Sequence, residues 1–297
     1  MARNPAAQTA FGPMVLAAVE QYEGPNRRLV EDDLAEAFLP AGLRALVRST
    51  RVPAIRRLMI AGSERSGPGL WANIACRKHY IDDKLDEALA DIDAVVILGS
   101  GVDTRPYRLA HRSDVPVFEV DLPVNISRKK AVVRRVLGGL PPSVRLVPVD
   151  FERDDLGAEL GKHGYRTDFR TFFVWEGVTQ YLTEDAVRAT FSYLRSAAAG
   201  SRLVFTYVRR DFIDGAMLYQ ATSLYRRFRE RRQIWRFGMN PDEVSEFVAE
   251  FGWGLVEQAG PEYFQQHYIA PTGRSLGASE LEWTAYATRT AKEKPRS

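Results

Sequence analysis

Five short runs rich in β-branched and aromatic residues recur along the chain, at 94–99 (AVVILG), 115–120 (VPVFEV), 144–149 (VRLVPV), 171–175 (TFFVW) and 202–208 (RLVFTYV). Each is largely apolar rather than alternating, and segments with helical periodicity separate them. Apolar strands joined by helical crossovers predict a parallel sheet covered on both faces. Thr183 is placed to cap the segment EDAVRATFSYLRSAAA, whose Val187, Phe191 and Leu194 share one face. A later helix reads from Asn240 as N-cap and Pro241 at the first position, through Val244, Phe247, Val248 and Phe251, to Gly252 as its stop. Two more strand candidates lie near 253–258 and 282–288, with no clear cap and no room for a helix of ordinary length between them. An antiparallel pair at the sheet edge is expected there. The fold class predicted is α/β, a doubly wound, mostly parallel, seven-stranded sheet of the nucleotide-binding kind.

Two regions fall outside that alternation. Residues 1–90 read as a mostly helical cap, broken at 24–26 (GPN), at Pro40 and at 66–69 (SGPG). Residues 209–239 interrupt the pattern after the fifth strand and carry eight arginines against three acids. They read as a helical lid whose arginines attract an anionic substrate, or as a solvated helix face whose Phe212, Met217, Leu218, Leu224 and Phe228 line the pocket or cover the core. No repeat, low-complexity tract or flexible linker divides the chain. A single domain, 1–297, is expected, with a cofactor-binding core at 91–208 and a C-terminal helix and edge strands at 240–297.

Composition narrows the function. The 297 residues hold 41 basic and 38 acidic side chains, net +3, a balance too even for a nucleic-acid binder. No run of about 18 apolar residues exists to span a membrane. The N-terminal MARNPAAQTAFGP lacks a continuous apolar segment, which predicts a cytoplasmic protein. Cys76 is the sole cysteine, and His79, His111, His163 and His267 are scattered without metal-ligand spacing. No structural metal is expected.

The first strand runs into VVILGSGVDTRPYRL, 95–109. The dinucleotide fingerprint needs a third glycine for close helix packing, and after Gly99, Ser100 and Gly101 that glycine is missing. Three acids sharpen the reading: Asp121 closes the second strand, Asp150 the third and Glu176 the fourth. In a parallel sheet all three belong to the carboxyl edge, where ligands of this fold bind. Each alone reads as a cap or turn former. Together they suit a ligand with ribose hydroxyls, an adenine amino group and positive charge, and they suit a polyphosphate poorly. S-adenosylmethionine matches; NAD shares the ribose acid but calls for the missing glycine.

VVILGSGVDTRPYRL, FEVDLP, VPVDFERDDL and FVWEGVTQYLTEDAV resemble, in order, motifs of the leucine carboxyl methyltransferase family, in its bacterial S-adenosylmethionine-dependent O-methyltransferase branch. Upstream, CRKHYIDD is similar to the family's A-R-x-x-x-I-D-D segment and RRLVEDDLAEAFL to its helical cap. The likeness covers about 8–208 and continues faintly through the last strands. It departs in the first helix, where relatives often have an arginine and this chain reads MVLAAVEQ.

The resemblance implies a Rossmann-like class I methyltransferase fold with S-adenosylmethionine as cofactor. It implies that Arg77 pairs with the methionine carboxylate and that Gly99, Ser100 and Gly101 approach the methionine and ribose. Asp121 would hold the ribose hydroxyls with Leu122 beside the adenine. Asp150 and Phe151 would address the adenine edge. Glu176 would face the amino group or sulfonium, with Gly177 and Val178 continuing the wall. Asp82 and Asp103 read as helix caps, Arg105 and Arg108 as braces of the turn. Tyr181 is the candidate substrate contact, with a core aromatic as the plain alternative, and no general base is assigned. The activated sulfonium needs only an aligned, desolvated nucleophile, and a carboxylate is ionised at pH 7. The expected substrate is therefore a small anionic molecule, such as a polyketide or lipid-like acid, drawn by the arginines of the insert. A phenol, hydroxyl or amine, a protein C-terminal carboxylate and a non-catalytic nucleoside-binding role stand as alternatives.

Overall fold

The computed structural model describes residues 11–290. Seven strands, β1 (Ala94–Leu98), β2 (Val117–Asp121), β3 (Val144–Pro148), β4 (Thr171–Trp175), β5 (Arg202–Val208), β6 (Trp253–Ala259) and β7 (Glu282–Arg289), form one sheet in the order β3-β2-β1-β4-β5-β7-β6. β1 to β5 are parallel, and β7 alone runs against them, antiparallel to both β5 and β6. The expected antiparallel pair is present, but β7 slots between β5 and β6, so β6 runs with the parallel set.

Every residue of β1, β2 and β4 is buried because helices cover both faces. The two-residue period of the strands sorts their side chains. Val95, Ile97, Phe172, Val174 and Val204 join α1 (Phe11–Glu20) and α5 (Leu70–Ala88) in one core. Val96, Leu98, Phe173, Trp175 and Phe205 join α9 (Glu184–Leu194) and α12 (Val244–Glu250) in the other. Between α1 and α5 lie α2 (Ala35–Phe38), α3 (Ala41–Ser49) and α4 (Pro53–Ser66), with breaks at the three expected places and a further one at residues 50–52, before Pro53. The crossovers are α6 (Arg105–Ala110), α7 (Pro123–Leu137), α8 (Leu156–Lys162) and α9.

Thr183 caps α9 as expected, its side chain accepting from the Ala186 N–H. The other capped helix starts later than its sequence suggests. Residues 241–243 form a turn in which Asn240 and Glu243 bond each other, and α12 begins at Val244. The stretch between β6 and β7 is also not free of helix. After Gly260, α13 (Pro261–Phe264), a π turn at Gln265–Ile269 and a 3-10 turn at Ala270–Thr272 run on without a break. Pro261 supplies the start, and Tyr263 and Phe264 pack on Tyr80 of α5. No helix among the described residues is long and apolar enough to cross a membrane.

The insert folds as α10 (Arg210–Ile213), α11 (Thr222–Leu224) and a π-helical run at Tyr225–Arg231. Left-handed backbone at Tyr219, Gln220 and Gln233 brackets that second helical stretch. Phe212, Phe228 and Trp235 form its own small core with Val208, Ile213 and Leu281. Met217, by contrast, is exposed and neither covers the core nor lines a pocket.

Candidate functional site

The strand order reverses between β1 and β4, and there the carboxyl edge opens into a cavity of about 930 Å³. Gly99 and Gly101 form its floor with positive φ of 71° and 44°. A Cβ at Gly99 would lie 2.3 Å from the Val178 side chain, so the turn packs against the residues after β4 and tolerates only glycine there. The Gly99 and Ser100 N–H groups both donate to the Val120 carbonyl, at 2.7 and 3.0 Å. From below, Lys129 Nζ donates to the Ser100 carbonyl at 3.2 Å while paired with Glu119, which also accepts from the Tyr107 hydroxyl.

Asp121 ties this turn to the next helix. Its Oδ2 accepts the Gly101 N–H at 2.6 Å, and its Oδ1 accepts the Leu122 N–H at 2.7 Å and Asn125 Nδ2 at 2.8 Å. Three of roughly four lone-pair sites of the carboxylate are filled, which leaves one on Oδ2. Asp150 and Phe151 line the cavity too. Asp150 Oδ1 accepts the Glu152 N–H at 3.1 Å, and Phe151 stacks on Trp175, their rings 6.4 Å apart.

Glu176 is the hub of the charged wall. Its Oε1 accepts from Arg77 Nε at 3.0 Å and lies 3.7 Å from Lys78 Nζ, and its Oε2 accepts from Arg105 Nη1 at 2.6 Å. Burial pushes its carboxyl up, but Lys78, Arg105 and Arg77 outweigh burial and hold it far below the ordinary range. Arg77 also pairs with Glu282 of β7. A Cβ at Gly177 would come within 3.1 Å of Arg77 Nη2, so that glycine leaves room for the guanidinium.

The residues singled out in the sequence thus converge. Arg77, Gly99, Ser100, Gly101, Asp121, Leu122, Asp150, Phe151, Glu176, Gly177, Val178 and Tyr181 all line this cavity. Asp103 stands one residue before Thr104, the N-cap of α6, and accepts the Arg105 N–H at 2.9 Å; Arg105 pairs with it and braces the turn as expected. Asp82 is no cap: it sits inside α5 and pairs with Arg105 and Arg108. Tyr181 lies on a 3-10 turn, Thr179–Tyr181, against the small core of the insert.

Other lining residues escaped sequence reading. Lys78 follows Arg77, and neighbours on a helix ordinarily point about 100° apart, so only one of them is expected at a site. Glu282 arrives with the last strand, and Gln180 and Trp235 arrive with irregular segments that carry no periodic signal. Much of the remaining wall is apolar, with Leu70 and Ile74 of α5, Leu224, Phe228 and Ile234 of the insert, and Leu281, while Asn125, Glu152 and Arg153 add polar side chains. Phe228 and Trp235 stack with centroids 4.8 Å apart and planes 15° from parallel. The arginines 226–232 do not line the cavity, which fits the solvated-face reading of the insert and not that of a lid drawing the substrate. Arg226, Arg227, Arg231 and Arg232 border a separate exposed cleft, and Arg229 donates to the Ile213 carbonyl. Arg236 is the one arginine of the insert that lines the main cavity.

Comparison with known proteins bears on the family and the fold. The model of the family "leucine carboxyl methyltransferase" matches residues 10–195. A Streptomyces coelicolor protein provisionally named as an S-adenosyl-L-methionine-dependent methyltransferase is 30% identical over 255 residues, which cover 82% of each chain. A provisionally named methyltransferase structure from Thermobifida fusca superposes with a TM-score of 0.57 at 19% identity, covering 80% of this chain and 89% of its own. A DUF574-family protein from Streptomyces avermitilis gives a TM-score of 0.56 at 15% identity over 92% and 96%. The two structures are similar in fold.

Proposed function

The chain belongs to the leucine carboxyl methyltransferase family and is an S-adenosylmethionine-dependent methyltransferase of class I fold, and from that premise we propose that it esterifies the carboxylate of a small, largely apolar acid. When bound, the cofactor supplies a methyl group already activated on a sulfonium. The chain has then to bind it, align the acceptor and keep water out.

The donor set suits the cofactor. Asp121 Oδ2 keeps one site for a ribose hydroxyl, and Leu122, Asp150 and Phe151 offer an apolar wall and a carboxylate to an adenine. Ser100 Oγ lines the cavity and is buried without a partner, so a polar ligand group would satisfy it. Arg77 and Lys78 supply positive charge for an amino-acid carboxylate, with Gly99, Gly101, Gly177 and Val178 allowing close backbone approach. In this reading Glu176 orients Arg77 and Lys78. Three cations surround it, and it has little charge left for a sulfonium.

The carboxylate reading rests on Arg236, which borders the apolar part of the cavity and makes no ion pair among the described residues. A guanidinium there favours an anionic acceptor head with an apolar body. Two further features support it: none of the four histidines lines the cavity, and its acids are engaged, Asp103, Glu176 and Glu282 in ion pairs and Asp121, Asp150 and Glu152 as hydrogen-bond acceptors. A carboxylate needs no proton removed, so this set is sufficient. The test is incubation with methyl-labelled cofactor and a panel of acids, followed by mild base. Label released by base identifies a methyl ester. Base-stable label identifies an ether, the second reading, which the buried and unpartnered Gln180 Oε1 favours as an acceptor for a substrate hydroxyl.

A further inference from the structure

Positive charge is distributed very unevenly over this chain. Residues 41–66 hold six arginines and one acid, and residues 222–232 hold five arginines and one acid, in a protein whose whole net charge is +3. The rest of the sequence is therefore net acidic. The structure brings these two arginine-rich segments together. The Ser223 hydroxyl donates to the Ser66 carbonyl at the end of α4. A Cβ at Gly67, just past that end, would lie 2.7 Å from Leu224 Cδ1.

Ser223 also borders the cleft formed by Arg226, Arg227, Arg231 and Arg232, of about 590 Å³. All four arginines are exposed, and none makes an ion pair among the described residues. Beside them runs an unusual helix. α4 has 14 residues and not one of them is buried. Of eight large apolar side chains exposed among the described residues, Leu46, Val52, Ile55 and Leu58 lie on α3, α4 and the turn between them, and Met217 lies in the insert. Leu58 is 66% exposed and about 12 Å along the helix from Ser66. The same α4–insert junction supplies Leu70 and Leu224 to the apolar wall of the cavity.

We propose that the surface formed by α3, α4 and residues 222–232 docks the enzyme on an anionic lipid surface beside the mouth of its apolar cavity. On α4 the exposed aliphatic side chains stand beside Arg57 and Arg65, which like the four cleft arginines make no ion pair among the described residues, whereas Arg48 and Arg56 pair with Glu36 and Glu23. Exposed aliphatic groups beside available cations suit a helix lying in a headgroup layer. Arginine forks bind phosphate oxygens in pairs, and charge complementarity selects acidic lipids over neutral ones. An acidic protein would match the arginines but leave Leu46, Val52, Ile55 and Leu58 in water. A second copy of this chain would bring like charges together. A lipid surface accommodates both features, and it is also where an apolar acid would concentrate.

The experiment is co-sedimentation of the full chain with vesicles of phosphatidylcholine alone and of phosphatidylcholine with one-third phosphatidylglycerol. Binding to the anionic vesicles should be at least about tenfold stronger and should weaken steeply with added salt. A variant with Arg226, Arg227, Arg231 and Arg232 all changed to glutamine should lose that preference. Ile55→Ser with Leu58→Ser should weaken binding at unchanged charge. These residues lie outside the cofactor cavity, so affinity for S-adenosylmethionine serves as the folding control and should not change. Three outcomes overturn the proposal. They are equal binding to both vesicle types or to neither, retention on polyglutamate without retention on vesicles, and a dimer that the serine variant dissociates. Each of these leaves the methyl-transfer reading standing, because neither the cofactor site nor Arg236 is involved.

Discussion

Arg77 Nε and Glu176 Oε1 meet at 3.0 Å, joining the middle of α5 to the end of β4 across 99 positions of sequence. The contact fixes a cap helix to the cofactor edge of the sheet. Arg77 turns there from a helix residue into part of the cavity wall.

Because three cations hold Glu176 ionised, Glu176→Gln leaves those cations short of one buried countercharge. The expected loss of stability at neutral pH is about 3 kcal/mol, typical of breaking a buried ion pair. The folded carboxyl titrates below its unfolded value, so its contribution is full above the ordinary glutamate pKa of about 4.3 and is lost as pH falls through the folded value. In denaturant melts from pH 7 to 3 the gap between the two proteins should begin to narrow below about pH 4.3. A constant gap across that range would show that Glu176 does not act through its charge.

Asp121→Ala removes the acceptor for the Gly101 and Leu122 N–H groups and the remaining site on Oδ2. Affinity for S-adenosylmethionine should fall by about 1–3 kcal/mol, roughly five- to 150-fold, by calorimetry. Unchanged affinity in a folded variant would remove Asp121 from the cofactor site.

Gly99→Ala should abolish cofactor binding, since its Cβ would strike Val178 and its φ is 71°. Adding Val178→Ala relieves the clash but not the left-handed backbone, worth about 1–2 kcal/mol. The double variant should recover stability only in part, as thermal melts would report. Full recovery would mean that packing alone requires the glycine.

Methyl transfer to the proposed acid should stay nearly flat from pH 6 to 9, because the nucleophile is ionised throughout. Arg236→Gln should raise KM for the acid several-fold while leaving kcat nearly unchanged, the mark of lost ground-state binding. Neutralising Arg226, Arg227, Arg231 and Arg232 should leave KM for a water-soluble acid unaltered. A rate climbing with pH, together with a base-stable product, would favour the hydroxyl reading.

The parallel sheet was legible because its signals are local. Apolar runs such as AVVIL and TFFVW need burial on both faces, and Thr183 announces α9 by its own chemistry. The acids after β2, β3 and β4 were legible as a group because a parallel sheet sends every carboxyl end to one edge. The late start of α12 was not. The Asn240 N–H donates to the Glu243 side chain as in a capping box, yet residues 241–243 close as a turn with the Glu243 N–H on the Asn240 carbonyl, and regular α-helix begins only at Val244. The helical run after Gly260 was missed because what it packs on, Tyr80, lies some 180 positions earlier.

The sequence by itself determined the sheet, the glycine turn and the three strand-end acids, since each follows from periodicity, backbone freedom or position along a strand. Tertiary structure alone decided how charge is used. Lys78 reaches the site because α5 lies against the end of β4, Glu282 because β7 inserts between β5 and β6, and Arg226, Arg227, Arg231 and Arg232 face outward because the insert packs through Phe228 and Trp235. Charged side chains are long and pair with whatever the fold brings near, so their partners are set by packing across the whole chain and not by their neighbours in sequence.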